Sequence, residues 1–170
     1  MLVDETGHTF RARTGLTWAR RGRTPILRRL SRRREISSIA GITPRGKLAA
    51  RHFAGAIHTA TVIATLRYFH RRLGRRLLIV WDRLNAHRSK ALQRFLARHP
   101  ERFAVAYLPA YAPELNPEEQ CNAWVKREMQ NTLPADIGEL TALARRHFRR
   151  LQRRPEMIRN FFHHAGLSVH

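Results

Sequence analysis

The apolar and polar positions of the chain follow two periods, one typical of strands and one typical of helices, and strand patterns dominate the first third. Residues 1–5 predict the end of a strand, and residues 8–19 alternate loosely, which favours a strand or a hairpin. Residues 34–43 and 47–55 predict two further strands, because the Pro-Arg-Gly sequence between them favours a turn. The chain is therefore expected to open with an antiparallel β section.

Strand and helix patterns alternate after this section. The continuous apolar run at 77–81 is typical of a strand buried on both faces, and residues 103–108 predict a second strand of this kind. Apolar spacing and starting residues predict five helices around these strands. Their expected bounds are Thr59 to about Arg72 with Gly74 as the end, Ser89 to about Pro100, a helix opening at Asn116 and Pro117, about 136–152, and a short apolar helix within 157–167.

This order of elements predicts an α/β protein with a mixed sheet covered by helices. We find no internal repeat and no linker, so we expect residues 1–170 to form a single domain. In sheets of this kind, sites form at the carboxyl ends of strands. Asp82 directly follows the apolar run at 77–81 and is therefore expected at such an end.

The charge of the chain is strongly positive. Its 170 residues include 33 Lys and Arg against 12 Asp and Glu, which gives a formal net charge of +21. This excess favours a polyanionic partner and salt-sensitive binding. Nearly all the basic residues are Arg, which suits bidentate phosphate contacts, although a compositional bias of the coding DNA would give the same preference. Residues 20–34 are a basic, turn-containing segment, and the Arg-rich stretch at 145–154 has a solvated helix face as its simpler interpretation.

Cysteine content and the N-terminus bear on the compartment. Cys121 is the only cysteine, so no intrachain disulfide forms, which fits a reducing cytoplasm. The first ten residues have neither a basic start nor a long apolar stretch, unlike a signal peptide, and no apolar run approaches the roughly 18 residues of a membrane span. We expect a cytoplasmic, nucleoid-associated protein with no membrane partner.

Three acidic residues in separate motifs are the candidate chemistry: Asp4, Asp82 and Glu119. Hard divalent cations prefer carboxylate oxygens, and two such ions roughly 3.5–4 Å apart can stabilise both the attacking and the leaving oxygen of a phosphodiester. Asp4 is followed by Glu5; neighbours in a strand point to opposite faces, so we expect only one of them to face a site. A basic chain with such acids favours a nuclease-like enzyme acting on DNA.

Each candidate also has a structural explanation. Asp82 can cap a turn, and His87, five residues later, can be a packing or surface histidine rather than part of a site. Glu119 is the third residue of a helix that Asn116 caps, where a glutamate can close a capping box. The histidines and Cys121 lack the spacing of a zinc site, and the chain has no Gly-Lys-Ser/Thr phosphate loop, so structural zinc and nucleotide hydrolysis are not expected.

Five motifs together resemble the catalytic domain of bacterial insertion-sequence transposases of the mariner superfamily, which are of the DDE type. The 36 residues between Asp82 and Glu119 lie within the mid-thirties spacing of that superfamily. The third acidic motif is the most specific, since its Pro, Tyr, Pro-Glu-Leu-Asn-Pro, Glu, Trp and Lys all match. The motifs are Asp4-Glu5, TWARRGRTP (17–25), IAGITPRGKL (39–48), WDRLNAHRS (81–89) and LPAYAPELNPEEQCNAWVKRE (108–128).

The resemblance implies a ribonuclease H-like fold, a five-stranded mixed sheet flanked by helices, in which the Asp4 strand is central. It implies metal-dependent DNA strand cleavage and strand transfer during movement of an insertion sequence. Asp4, Asp82 and Glu119 would be the catalytic residues and hold two Mg²⁺, with Mn²⁺ as the alternative, and His87 and Asn116 would support them. The implied partners are the element ends, target DNA and further copies of the chain, as a homodimer or a higher assembly on DNA.

Three features depart from the family pattern. An apolar residue is usual at the position of Glu118; by motif position Glu119 is the ligand, and we expect Glu118 to point away. Ala110 replaces a common Pro, which we expect to be harmless. The family's N-terminal helix-turn-helix region is missing, so we expect an N-terminally truncated catalytic domain. Two origins stay open: a truncated gene, or one half of a split reading frame whose other half separately encodes the DNA-binding part.

Two other functions remain open at this point. A catalytically inactive transposase remnant would still bind nucleic acid through its charge. A basic RNA-binding structural protein would explain the charge, but it would not explain the motif at 108–128.

Overall fold

The computed structural model describes residues 1–10, 15–26, 35–82, 87, 89–109 and 112–167, and five strands among them form one mixed sheet. In chain order the strands are β1 (Leu2–Thr9), β2 (Glu35–Ile42), β3 (Leu48–Ala54), β4 (Leu77–Trp81) and β5 (Phe103–Tyr107). Their order in the sheet is β3-β2-β1-β4-β5, with β1 in the centre. The first three strands pair antiparallel, whereas β4 lies parallel to both β1 and β5. This confirms the predicted mixed sheet.

In the described segments, five α-helices cover the sheet: α1 (Thr59–Leu73), α2 (Lys90–Ala97), α3 (Pro117–Glu128), α4 (Ile137–Gln152) and α5 (Pro155–His164). The predicted starts at Ser89 and Asn116 are confirmed, since each side chain accepts a backbone N–H from the first turn of its helix. Helix α1 is capped by His58 and not by Thr59, which is its first residue. It ends at Gly74, whose φ of 64° is the left-handed conformation that glycine adopts without strain.

The core lies on both sides of the sheet, because successive residues of a strand point to opposite faces. Leu2 packs with α3, α4 and α5 on one side, and Val3 packs with α1 and α2 on the other. The start of β1 is therefore buried on both faces. The described part of the chain contains no helix long and apolar enough to cross a membrane.

Three details differ from the sequence-based expectation. Strand β1 extends to Thr9 instead of ending near residue 5, because β2 pairs with it along its whole length. Residues 15–19 contain no strand, and residues 11–14, which complete the predicted hairpin, lie outside the described part, as do 27–34. Leu78 in β4 is 52% exposed, so this apolar run is not fully buried on both faces. Only Val80 of its second face packs against the α3–α5 layer.

Candidate active site

Asp4 and Asp82 lie side by side because β1 and β4 are parallel. Leu2 is paired with Val80 in the register of these strands, and each Asp lies two residues further along its own chain segment. Strand β4 ends at Trp81, whereas β1 continues to Thr9 along β2. Among the described residues, no strand lies next to the second half of β1 on this side, and the two Asp residues lie where this opening begins.

The third acid comes from the first turn of α3, which packs against β1. Asn116 caps this helix by accepting a hydrogen bond from the backbone N–H of Glu118 at 3.2 Å. Glu119 is exposed. No hydrogen bond from its side chain back to the cap is seen among the described residues, so the capping box that the sequence allows is not observed here. The side chain of Glu119 is thus left available at the surface.

One open depression is bordered by all three predicted acids. Its lining consists of Asp4, Glu5, Asp82 and, from α3, Glu119, Asn122, Ala123, Lys126, Arg127 and Gln130. Within the part of the chain that is described, no three His, Cys, Asp or Glu side chains lie close enough together to hold one metal ion. The acids therefore surround the depression without forming a ready-made cage, as expected of like charges that repel one another.

The environment of Asp4 opposes its ionisation. Its pKa is raised from 3.8 to about 6, chiefly by burial. The negative charges of Glu119, Asp82 and Glu5 contribute to the rise, and the hydrogen bond from the Glu5 backbone N–H, at 2.7 Å, opposes it. The ionised form of Asp4 thus lacks compensating positive charge. A bound cation would supply that charge, so these carboxylates fit a divalent metal by charge and by donor type.

His87 joins two of the acids from beneath the depression. Its Nε2 is 3.1 Å from Glu5 Oε1, and its Nδ1 is 2.9 Å from Asp82 Oδ1. The imidazole is 1% exposed and stacks on the Trp81 ring, with ring centroids 4.2 Å apart. Burial alone would lower the pKa of His87, but the hydrogen bond to Glu5 and the charges of Glu5 and Asp82 raise it above its ordinary value. His87 is thus both a packing residue and a partner of the acids.

Glu5 borders the depression, although it is not among the three candidate acids predicted from the sequence. As predicted for strand neighbours, Asp4 contacts α3 while Glu5 contacts His87 near the other face of the sheet. Both nevertheless border the depression, because the opening beside β1 reaches both faces. The expectation that only one of them faces the site is therefore wrong.

Glu118 does not line the depression but lies buried next to it, with no exposed surface. The Asn122 amide donates to Glu118 Oε2 at 2.5 Å and to Asp4 Oδ2 at 3.4 Å, which links the two carboxyl groups. Burial raises the pKa of Glu118 well above its usual range, and the charge of Asp4 adds to this effect. Asn122 was not among the sequence candidates, although its position one turn after Glu118 and Glu119 puts it on the same side of α3.

Comparisons with known proteins agree with this arrangement. The model of the family described as DDE superfamily endonuclease matches residues 1–141. Among curated proteins, none matches the chain by sequence.

Solved structures of Mos1 mariner transposase share the fold. The paired-end complex with Mg superposes with a TM-score of 0.69 at 13% identity, over 95% of this chain and 52% of that one. The strand transfer complex gives 0.62 at 14% identity, over 99% and 56%. The isolated catalytic domain gives 0.53 at 14% identity, over 99% and 84%. This chain thus spans about half the length of the Mos1 chains in the complexes. By its family match, the chain belongs to the DDE superfamily endonucleases.

Proposed function

We propose that this chain is the catalytic domain of a DNA transposase, and that Asp4, Asp82 and Glu119 hold two divalent ions for strand cleavage and strand transfer. The observation that supports it is the meeting of acids from three separate elements at one depression. Membership of the DDE superfamily endonucleases supports the same reaction class. Mos1 structures with transposon ends, with Mg and with Mn support DNA as the substrate and Mg²⁺, or Mn²⁺, as the ion.

The chain's own residues have distinct tasks in this proposal. When bound, divalent ions activate the attacking hydroxyl and stabilise the leaving oxygen of a phosphodiester. Asp4 and Asp82 approach from neighbouring strands and Glu119 from α3, so ligands reach the depression from two layers of the fold. His87 holds Glu5 and Asp82 in place through its two ring nitrogens. Lys126 and Arg127 on the rim offer positive charge to the phosphates of DNA.

Asn116 supports the proposal in a different way. By capping α3, its side chain fixes where the first turn begins and hence where Glu119 projects. Binding of transposon ends, movement of an insertion sequence, and assembly as a homodimer or higher complex stay predictions for this chain.

Nicking of supercoiled plasmid tests the proposal. Wild-type chain with Mg²⁺ or Mn²⁺ should nick the plasmid, and chelator should stop the reaction. Asp82→Asn and Glu119→Gln should each abolish nicking, since an amide keeps the shape of the side chain but loses the anionic ligand. Glu156→Gln is the matched control, because this side chain is 75% exposed and lies on α5, away from the depression.

The outcomes separate the alternatives. Nicking that persists equally in both site variants would point to a contaminating nuclease and would remove the support of this assay for the proposal. No nicking by the wild-type chain, together with intact DNA binding, would instead support the inactive remnant.

A further inference from the structure

A second charged surface lies on α4, away from the acidic depression. Its residues are all exposed arginines that follow two adjacent rows with a spacing of four: Arg145, Arg149 and Arg153 in one row and Arg146, Arg150 and Arg154 in the other. Residues four apart lie on the same side of a helix, so the two rows share one face of α4, and Arg153 and Arg154 continue them directly after its last residue. Together with Ala142 they line a groove, which we call the α4 groove.

Most of this positive charge has no internal partner. Arg150 forms an ion pair with Glu128 at 2.6 Å, and Arg154 lies over the Trp124 ring at 6.0 Å. The other four arginines form no ion pair with any described residue. Favourable interaction with the helix dipole accounts only for basic residues in the last turn, and Arg145 and Arg146 lie before it.

Burial and the positive charge of the α4 groove lower the pKa of two nearby histidines, His52 and His147. The pKa of His52 is lowered to about 4, first by burial and then by the charges of Arg145 and Arg149. His147 on α4 also has a lowered pKa, through burial and through Arg150 and Arg146, although Glu128 acts in the opposite direction. The positive charges of the groove therefore oppose protonation of both imidazoles.

We propose that the α4 groove binds the phosphate backbone of duplex DNA at a position outside the cleavage site. From the first to the last residue of a row the helix advances about 12 Å, a length over which one DNA strand presents three to four phosphates. Guanidinium groups suit this partner, since each can donate two parallel hydrogen bonds to one phosphate. This inference rests on the proposed function in that DNA is the polyanion.

Helix α3 sets the distance between Glu119, the proposed ligand at its start, and the α4 groove. Glu119 borders the acidic depression at the start of α3, and Glu128 contacts Arg150 of the groove at its end. At 1.5 Å per residue these two positions are about 13 Å apart, which corresponds to about four base pairs of duplex. A duplex held in the α4 groove is thus expected to be contacted at least this far from the phosphodiester that is cleaved.

The test is the salt dependence of duplex binding, measured by fluorescence anisotropy on a duplex of about 30 base pairs. The variant is Arg145→Gln/Arg149→Gln/Arg153→Gln, which empties one row and leaves the interactions of Arg150 and Arg154 intact. Loss of three phosphate contacts should lower the slope of log affinity against log salt by about 2 to 3 and weaken binding at least about tenfold near physiological salt.

The matched control is Arg71→Gln/Arg72→Gln/Arg75→Gln. These residues are exposed at the end of α1 and just after it, on the opposite side of the sheet, and the control removes the same charge. It should leave the salt slope unchanged. Both variants should keep the wild-type unfolding midpoint, because such surface substitutions usually change stability by less than about 0.5 kcal/mol.

Binding to vesicles of anionic phospholipid is measured in parallel. Three results would overturn the inference: equal losses of duplex affinity in both variants, no loss of duplex affinity in either, or a loss of vesicle binding without a loss of duplex binding. Failure of the proposed function is distinguishable. If the wild-type chain binds duplex DNA through the α4 groove but nicks none with Mg²⁺ or Mn²⁺ present, the proposed cleavage fails and this inference stands.

Discussion

Replacing Asp4 with Asn should stabilise the fold in the absence of metal, even though Asp4 is a proposed ligand. Burial and three neighbouring carboxylates raise the pKa of Asp4 from 3.8 to about 6. One pKa unit corresponds to about 1.4 kcal/mol, so ionised Asp4 costs the folded state about 3 kcal/mol. Asn cannot ionise and still accepts the hydrogen bond from the Glu5 backbone N–H. Its amide NH₂ would face the Asn122 donor, which costs about 1 kcal/mol, so we expect a net gain of about 2 kcal/mol at pH 7.

The stability difference between Asp4→Asn and the wild type should depend on pH. Because the folded chain holds the Asp4 proton more tightly than the unfolded chain does, the contribution of Asp4 lowers the wild-type free energy of unfolding as the pH rises from about 3.8 to about 6, and the loss then levels off. The advantage of Asp4→Asn should therefore be largest above pH 6 and disappear near pH 4. Urea unfolding in chelator at several pH values between these limits measures the difference.

Divalent ions should reverse the order of stability. A ligand that binds only the folded state stabilises it in proportion to its affinity, and Asp4→Asn should gain little from added Mg²⁺ or Mn²⁺ while the wild type gains. Glu156→Gln, at an exposed position, should show neither effect. If Asp4→Asn is less stable than the wild type at pH 7 in chelator, the argument from burial and charge repulsion is refuted.

Three further predictions concern two residues around the site and one glycine in the turn between β2 and β3. Glu118→Leu should raise the free energy of unfolding, measured in urea, by about 1 kcal/mol, because a buried carboxyl group is removed. The same variant should bind divalent ions more weakly in calorimetry, since the Asn122 amide loses its hydrogen bond to Glu118. His87→Ala should lower the free energy of unfolding by about 3 kcal/mol; this loss should be largest below about pH 6.5 and shrink as the pH passes the raised pKa of His87. Gly46→Ala should lower the free energy of unfolding, measured by thermal denaturation, by more than about 1 kcal/mol. Gly46 has a φ of 78°, and the added Cβ would lie 2.6 Å from the backbone carbonyl oxygen of Pro155, the first residue of α5. Gly7→Ala is the control, because its added Cβ meets no atom within 4 Å.

Two of the three candidate acids, Asp82 and Glu119, could be predicted because each lies at the boundary of an element that has a local signal, whereas Asp4 lies inside β1. The apolar run before Asp82 stops abruptly, and Asn116-Pro117 is a strong start for the helix that carries Glu119. Sheet class follows from the order of these elements. These local signals alone would also fit Asp82 and Glu119 as capping residues. The motif resemblance decided between a capping role and a role in the site.

The contacts around the acids could not be predicted, because they depend on how α3 is rotated against the sheet. Trp124 and Val125 pack into the core beside Leu2, and this rotation buries Glu118 while it leaves Glu119 exposed. No local pattern distinguishes two adjacent glutamates in this way. The bridge from Glu5 through His87 to Asp82 likewise requires the spacing of β1 and β4, which the sequence does not contain.

The depression owes its existence to the unequal lengths of neighbouring strands. Strand β1 has eight residues and β4 has five, and the parallel register begins at Leu2, so β4 ends when only the first part of β1 has a neighbour on that side. A longer β4 would continue the ladder and place backbone where the carboxylates now meet. The same short strand places Asp82 directly after its last residue and lets His87 reach Glu5. The end of β4 at Trp81 is therefore the structural feature on which the whole proposed site depends.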